Sequence, residues 1–296
     1  MTDYQAQCEA RLLEGQWDQA QQAALAWARH PATGTDRDAR PYFALNVIQL
    51  LRGEFAEAWK IHSKCLEEPE DIAQVKEWIE GFVARQSEQA YAHLVMGLFL
   101  AQSGQSEQSI ASYKETIKLA PQSAHPHYFL AQIYERANHL EMAIKEYRET
   151  IRLDPSHAPA RTNLGVAYQE QGRLEMAIPQ YREVIKLKPN DATTHANLAC
   201  ALAEQGKMEP ALQSYKEALR LNPQDAAVHF ALGGLYETRG RLDLAKREYD
   251  AALIADPNFG PAHSALGWLA LGRQHMQAAY EAFNRALKSN DQDPRA

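Results

Sequence analysis

Five histidines, His93, His127, His195, His229 and His263, fall on one place of a recurring register, and Arg161 fills that place where a sixth would stand. Imidazoles in a row could ligate a metal, but the ligands of one zinc ion must all lie within about 2 Å of it. Equivalent residues on neighbouring helices are held at least about 8 Å apart by the width of the helices. The column is therefore expected to serve packing, with no metal and no cofactor. A second pattern is acidic: Glu135, Glu170, Glu204 and Glu237 lie near the ends of four successive amphipathic segments. A carboxylate there opposes the helix dipole by about 0.3 to 1 kcal/mol. A solvated helix end accounts for these residues, and so does an acidic groove edge that favours a neutral or basic partner. Cys8, Cys65 and Cys200 are odd in number and have no paired or metal-type spacing, so they are expected to be reduced packing residues. The chain has no phosphate loop, nucleophile elbow or metalloprotease helix motif. No enzyme is expected.

The register that aligns these residues has a period of 34. Gly104, Asn138, Gly172, Gly206 and Gly240 mark it, followed by Tyr113, Tyr147, Tyr181, Tyr215 and Tyr249, and by Pro121, Pro155, Pro189, Pro223 and Pro257. Within the unit that starts at Ala124, Leu130, Ala131 and Tyr134 make one helical stripe, and Ala143, Tyr147 and Ile151 another. Each unit is thus two amphipathic helices. Gly or Asn ends the first in a left-handed conformation, and proline stops the second. Lys118, Arg152, Lys186 and Arg220 face the exposed carbonyls of the second helix's last turn. Small residues, Gly97, Ala131, Gly165, Ala199, Gly233 and Gly267 on the first helix and Ala143, Ala177, Ala211, Ala245 and Ala279 on the second, predict close approach of the two axes. Pro179 falls inside a second helix and is expected to kink it, whereas Pro210 falls in a first turn that tolerates proline.

The small residue, Gly, Ala, Tyr and Pro at these places resemble those of the tetratricopeptide repeat family. The expected fold is all-α: a right-handed α-solenoid of about eight tetratricopeptide helix pairs with one inserted helix. Two divergent units, aligned on Gly15, Trp17, Ala20 and on Gly53, Phe55, Ala58, occupy residues 1–72 with a small insertion at Thr35–Asp38. Residues 73–89 place Val75, Trp78, Ile79 and Phe82 at helical spacing and form an inserted helix, read as a joint or as a partner-binding element. Six contiguous units fill 90–293, and 294–296 is a tail.

The resemblance implies a concave face lined by the first helices that receives a peptide or helix of a partner protein. Carried over place by place, the expected peptide-binding residues are Tyr128, Gln132, Asn163, Asn197, Phe230 and Trp268, with aromatics anchoring side chains and amides holding backbone. Chaperone-binding members grip an acidic C-terminal carboxylate with Lys, Arg and Asn. The corresponding places here hold Leu94, Leu98, Tyr128 and Thr162, so an acidic C-terminal ligand is not expected. Asn163 and Asn197 match a place where the arrays of O-linked glycosyltransferases carry an asparagine ladder. The readings that remain open are a scaffold or adaptor, a regulatory or substrate-delivery subunit of an enzyme such as a glycosyltransferase, and a self-assembling structural protein.

Bulk composition narrows the partners further. The net charge is -7, which argues against nucleic acid, since that affinity rests on clustered Lys and Arg. No apolar run reaches the roughly 18 residues needed to cross a bilayer, and the first residues carry no basic or apolar signal. No membrane insertion and a cytoplasmic location are expected. Leu266, Tyr280, Phe283 and Leu287 of the last unit lack a following helix, so homo-oligomerisation through an uncapped C-terminal repeat is a further expectation.

Overall fold

Residues that tolerate a left-handed backbone end the first helix in five successive 34-residue units: Gly104, Gly172, Gly206 and Gly240 have φ between 69° and 79°, and Asn138 has φ 58°. The sixth unit does the same with Gln274 at φ 60°, a residue without glycine's freedom or asparagine's local hydrogen bonds. Behind each such residue the next amide reaches back to close the turn, as in His139 N to Tyr134 O (2.8 Å), Lys207 N to Leu202 O (2.8 Å) and His275 N to Ala270 O (2.9 Å). The second helix then begins within two residues. It ends one turn before the next unit, where the recurring proline has no amide to donate.

The computed structural model describes residues 4–14, 16–29, 38–51, 69–85 and 89–291. Gly15, Gly53, Phe55, Ala58, Cys65, most of the Thr35–Asp38 insertion and the 294–296 tail lie outside the described residues. The described chain holds sixteen helices and no strand, and forms two compact units, Met1–Ala160 and Arg161–Ala296.

In the first unit α1 (Tyr4–Leu13) pairs with α2 (Trp17–Arg29), and α3 (Arg40–Leu51) and α4 (Pro69–Arg85) follow. Next come the pairs α5 (Ala90–Gln102) with α6 (Ser106–Leu119), and α7 (Ala124–Arg136) with α8 (Leu140–Leu153). Helix α4 lies over the segment expected to be inserted, and its apolar face is spent internally, since Val75, Trp78, Ile79 and Phe82 are all buried. Trp78 is the hub of that packing: its ring centroid lies 5.5 Å from Trp27 and 6.5 Å from Phe43, both edge-on, and its indole N–H donates to Glu9 Oε1 at 2.6 Å.

The second unit holds most of α9 (Ala158–Glu170), which precedes α10 (Leu174–Leu187). It continues with the pairs α11 (Ala192–Glu204) with α12 (Met208–Leu221), α13 (Ala226–Thr238) with α14 (Leu242–Ala255), and α15 (Gly260–Gly272) with α16 (Met276–Asp291). Helix α10 runs on through Pro179 to Leu187. At Gly97 the small-residue approach is visible directly: Ser109 Oγ on α6 donates to the Gly97 carbonyl on α5 at 2.7 Å. The small residue also does something the sequence reading missed. A Cβ placed on Gly97, Gly165 or Gly233 would sit 2.5 Å from Cε1 of Tyr113, Tyr181 or Tyr249, so the absent methyl is the berth of the recurring tyrosine ring.

Candidate functional site: the first-helix face

Three first helices of the second unit, α9, α11 and α13, succeed one another at the 34-residue period. α11 touches α13 directly, as α5 touches α7 in the first unit. A side-chain link joins α9 to α11: Gln169 Nε2 donates to Glu204 Oε1 at 2.6 Å and approaches Cys200 Sγ at 3.4 Å, while Cys200 Sγ donates to Glu204 at 3.2 Å. Asn163 and Asn197 lie on these same helices and are half-buried, and Thr193 is exposed. Burial, and then its hydrogen bond with Glu204, hold the Cys200 thiol above its ordinary pKa, so it stays protonated and is a poor nucleophile.

The expected binding residues differ sharply in access. Trp268 on α15 is 62% exposed, its indole edge-on to Phe283 with centroids 5.2 Å apart. Phe230 is half-buried beside Tyr249 and Phe259, within the cluster formed by Ala245, Tyr249, Ala252 and Ala262. Tyr128 in the first unit is 3% exposed and packs on Phe129, Tyr147 and His157. Its hydroxyl accepts from Gln132 Nε2 at 3.2 Å, so its ring is a packing element and Gln132 the more accessible of the two.

The four glutamates divide between two adjacent register places, so they are not one stripe. Glu135 and Glu237 stand twelve residues before a recurring tyrosine and accept its hydroxyl, Tyr147 to Glu135 at 2.5 Å and Tyr249 to Glu237 at 2.6 Å. Gln169 occupies the same place and accepts from Tyr181 at 3.1 Å. Burial, reinforced by Glu237, pushes the Tyr249 hydroxyl well above its usual pKa, so it remains a donor. That bond accounts for a carboxylate kept against the dipole. Glu170 and Glu204 sit one residue further on and are exposed. Gln169 is the residue that sequence reasoning passed over. Its signal was its place, 34 residues from Glu135 and 68 from Glu237.

The histidines pin turns and helices. Ring nitrogens of His195, His229 and His263 lie 3.0, 3.2 and 3.0 Å from the carbonyls of Pro189, Pro223 and Pro257, which ties each first helix to the turn before it. His127 and His229 also meet Glu146 and Glu248 on the second helix at 2.6 and 2.8 Å, and Arg161 takes the equivalent contact with Gln180 at 3.4 Å. No helix is long and apolar enough to cross a membrane among the described residues.

Helix pairs of this length, with Gly, Tyr and Pro at their fixed places and a tyrosine berthed over a small residue, define a tetratricopeptide repeat protein. The chain belongs to the family described as the Cilia and flagella-associated protein 70 C-terminal domain, which it matches over residues 51–296. No curated protein matches it significantly. Similar solved structures include MamA, 22% identical over 56% of this chain and 98% of that one, with a TM-score of 0.51. YrrB, described as a TPR protein with an unusual peptide-binding site, is 18% identical over 63% of this chain and 96% of its own, with a TM-score of 0.57. Cut9, in the APC/C hetero-tetramer Cut9–Hcn1, is 17% identical over 94% of this chain and 57% of that one, with a TM-score of 0.58. At these identities the likeness is one of fold.

Proposed function

We propose that this protein is a cytoplasmic adaptor whose first helices hold a peptide or helix of a partner protein. The repeats supply an interaction scaffold and no catalytic constellation is expected on them. The observation that carries the reading is the pair Asn163 and Asn197, one repeat apart and partly open to solvent on α9 and α11, the two helices that the polar link Gln169–Glu204 joins. Backbone groups of an extended ligand recur along its length, and amides at a fixed repeat spacing suit them. YrrB, of similar fold, is described as having a peptide-binding site, which agrees with this use of the architecture. In the second unit Phe230 and Trp268 would take apolar side chains. The exposed Glu170 and Glu204 favour a neutral or basic ligand over an acidic one. In the first unit Gln132, rather than the buried Tyr128, would make the polar contact.

Residues 1–72 would act as two divergent repeats, 73–89 as the joint that follows them, and 90–293 as the six regular units. Affinity for one short segment would be of order micromolar, about 8 kcal/mol, because ordering a free peptide costs much of the contact energy. Crosslinking capture from native lysate tests the site with the wild-type chain and an N163A/N197A variant. The variant should lose the captured partner, and equal capture by both would remove the site from this face. A second copy meeting the exposed Tyr280 and Leu287 of the last repeat is the accompanying assembly reading. A monomer in sedimentation at high concentration would rule it out.

A further inference from the structure

Four second helices end on the same ion pair. Glu115 meets Lys118 at 2.6 Å, Glu149 meets Arg152 at 2.6 Å, Glu183 meets Lys186 at 2.5 Å and Glu217 meets Arg220 at 2.7 Å. In each, the cation faces the carbonyl end of its helix and the glutamate one turn earlier neutralises it. The place of that glutamate is Ala251 on α14 and Arg285 on α16, and the place of the cation is Ile254 and Lys288. On α16, therefore, the anion has been exchanged for a second cation, three residues from the first and on the same face. Both side chains are exposed, and no ion pair of either appears among the described residues. Like charges at this spacing repel. The helix dipole does not call for the second one, because the four helices that carry the ion pair complement it with one cation each.

These two cations stand on the wall of an open cleft of about 460 Å³. Its other walls are Leu253 at the end of α14, Pro257 and Asn258 in the turn, the buried His263 at the start of α15, and Ser289 on α16. The cleft lies wholly within the second unit and shares none of the expected peptide-binding residues Tyr128, Gln132, Asn163, Asn197, Phe230 and Trp268. Where four sister repeats carry their own carboxylate, this one offers an Arg fork, an ammonium and the polar side chains of Ser289 and Asn258 around an open space. We propose that the cleft binds an acidic segment of a partner protein, whose carboxylate takes the place of the missing glutamate between Arg285 and Lys288. The protein would then recognise two different chemistries, an acidic one here and a neutral or basic one on the first helices.

The test uses the full chain and fluorescence anisotropy of a labelled synthetic peptide of alternating Glu and Gly, with a Gln-for-Glu peptide as its neutral match. The wild type should bind the acidic peptide and not the neutral one. R285E restores the ion pair of the sister helices, so it should fold with an unchanged or raised Tm and weaken binding at least tenfold. R148E makes the same change in net charge on α8 and should leave binding unaltered. Absence of binding by the wild type, equal binding by R285E, or equal weakening by R148E would each overturn the proposal. Displacement of the peptide by inorganic phosphate at a concentration equal to its carboxylates would also overturn it, by showing a general anion site. None of these outcomes depends on Asn163 or Asn197, so the first-helix reading stands or falls separately.

Discussion

Gly233→Ala sets two physical effects of known size against each other. Alanine is favoured over glycine in a helix interior by about 1 kcal/mol, and Gly233 lies in the middle of α13. The added Cβ, however, would sit 2.5 Å from Tyr249 Cε1, 2.6 Å from Cδ1 and 3.2 Å from Cζ, where carbon atoms ordinarily rest about 3.5 to 4.0 Å apart. The ring cannot retreat freely, since it is buried and its hydroxyl is held by Glu237 at 2.6 Å. Overpacking a close-packed site costs about 1 to 3 kcal/mol. The clash therefore outweighs the propensity gain, and the variant should be less stable by about 1 kcal/mol, with a Tm lower by about 2 to 4 °C. Ala131 and Ala199 occupy the same place opposite Tyr147 and Tyr215, so the pair geometry can accommodate a methyl where the surrounding helices are spaced for it. In α13 they are spaced for its absence. Because repeat arrays need not unfold in one step, thermal unfolding should be paired with hydrogen exchange of α13 and α14, whose amides should lose protection first. A Tm that is unchanged or raised would refute the argument that the ring's berth, rather than chain flexibility, keeps glycine there.

Gln274→Gly should stabilise the last repeat by up to about 1 kcal/mol, because Gln274 holds a left-handed backbone at φ 60°, and a denaturant midpoint that falls would contradict this. Trp78→Ala should cost about 3 to 5 kcal/mol and unfold the first unit at lower denaturant, with the second unit's exchange protection retained. Acid should erode the last-turn ion pairs: Glu115, Glu149, Glu183 and Glu217 are each held below the ordinary carboxyl pKa of 4.5 by the hydrogen bond from the cation three residues on. A depressed folded pKa means that the contribution is present above 4.5 and disappears as pH falls through the lower folded value. A quadruple Glu→Gln variant should therefore flatten the acid limb of stability below about pH 4.5 and remove part of its salt dependence. Cys8, whose thiol burial pushes up to about 12, should react with maleimide more slowly than the half-exposed Cys200. Faster labelling at Cys8 would show that α1 opens.

Periodicity carried the helix pairs, their turns and the apolar face of α4, because these depend on spacing along the chain and on backbone preferences that each residue brings with it. Gly104 or Pro121 can be read wherever it stands, since a left-handed turn or a missing amide is a local property. Partners across helices could not be read that way. That Gly233 exists to seat Tyr249, that Glu237 is an acceptor for its hydroxyl, and that Gln169 spans to Glu204 are facts about side chains brought together only by packing. Tyr128 illustrates the same divide: its place in the first helix suggested a ligand-facing ring, and contacts with Tyr147 and His157 bury it. The exchange of glutamate for Arg285 was visible in the register all along. What gave it meaning was the open space beside it, which exists only once α14, the following turn and α16 are folded against one another.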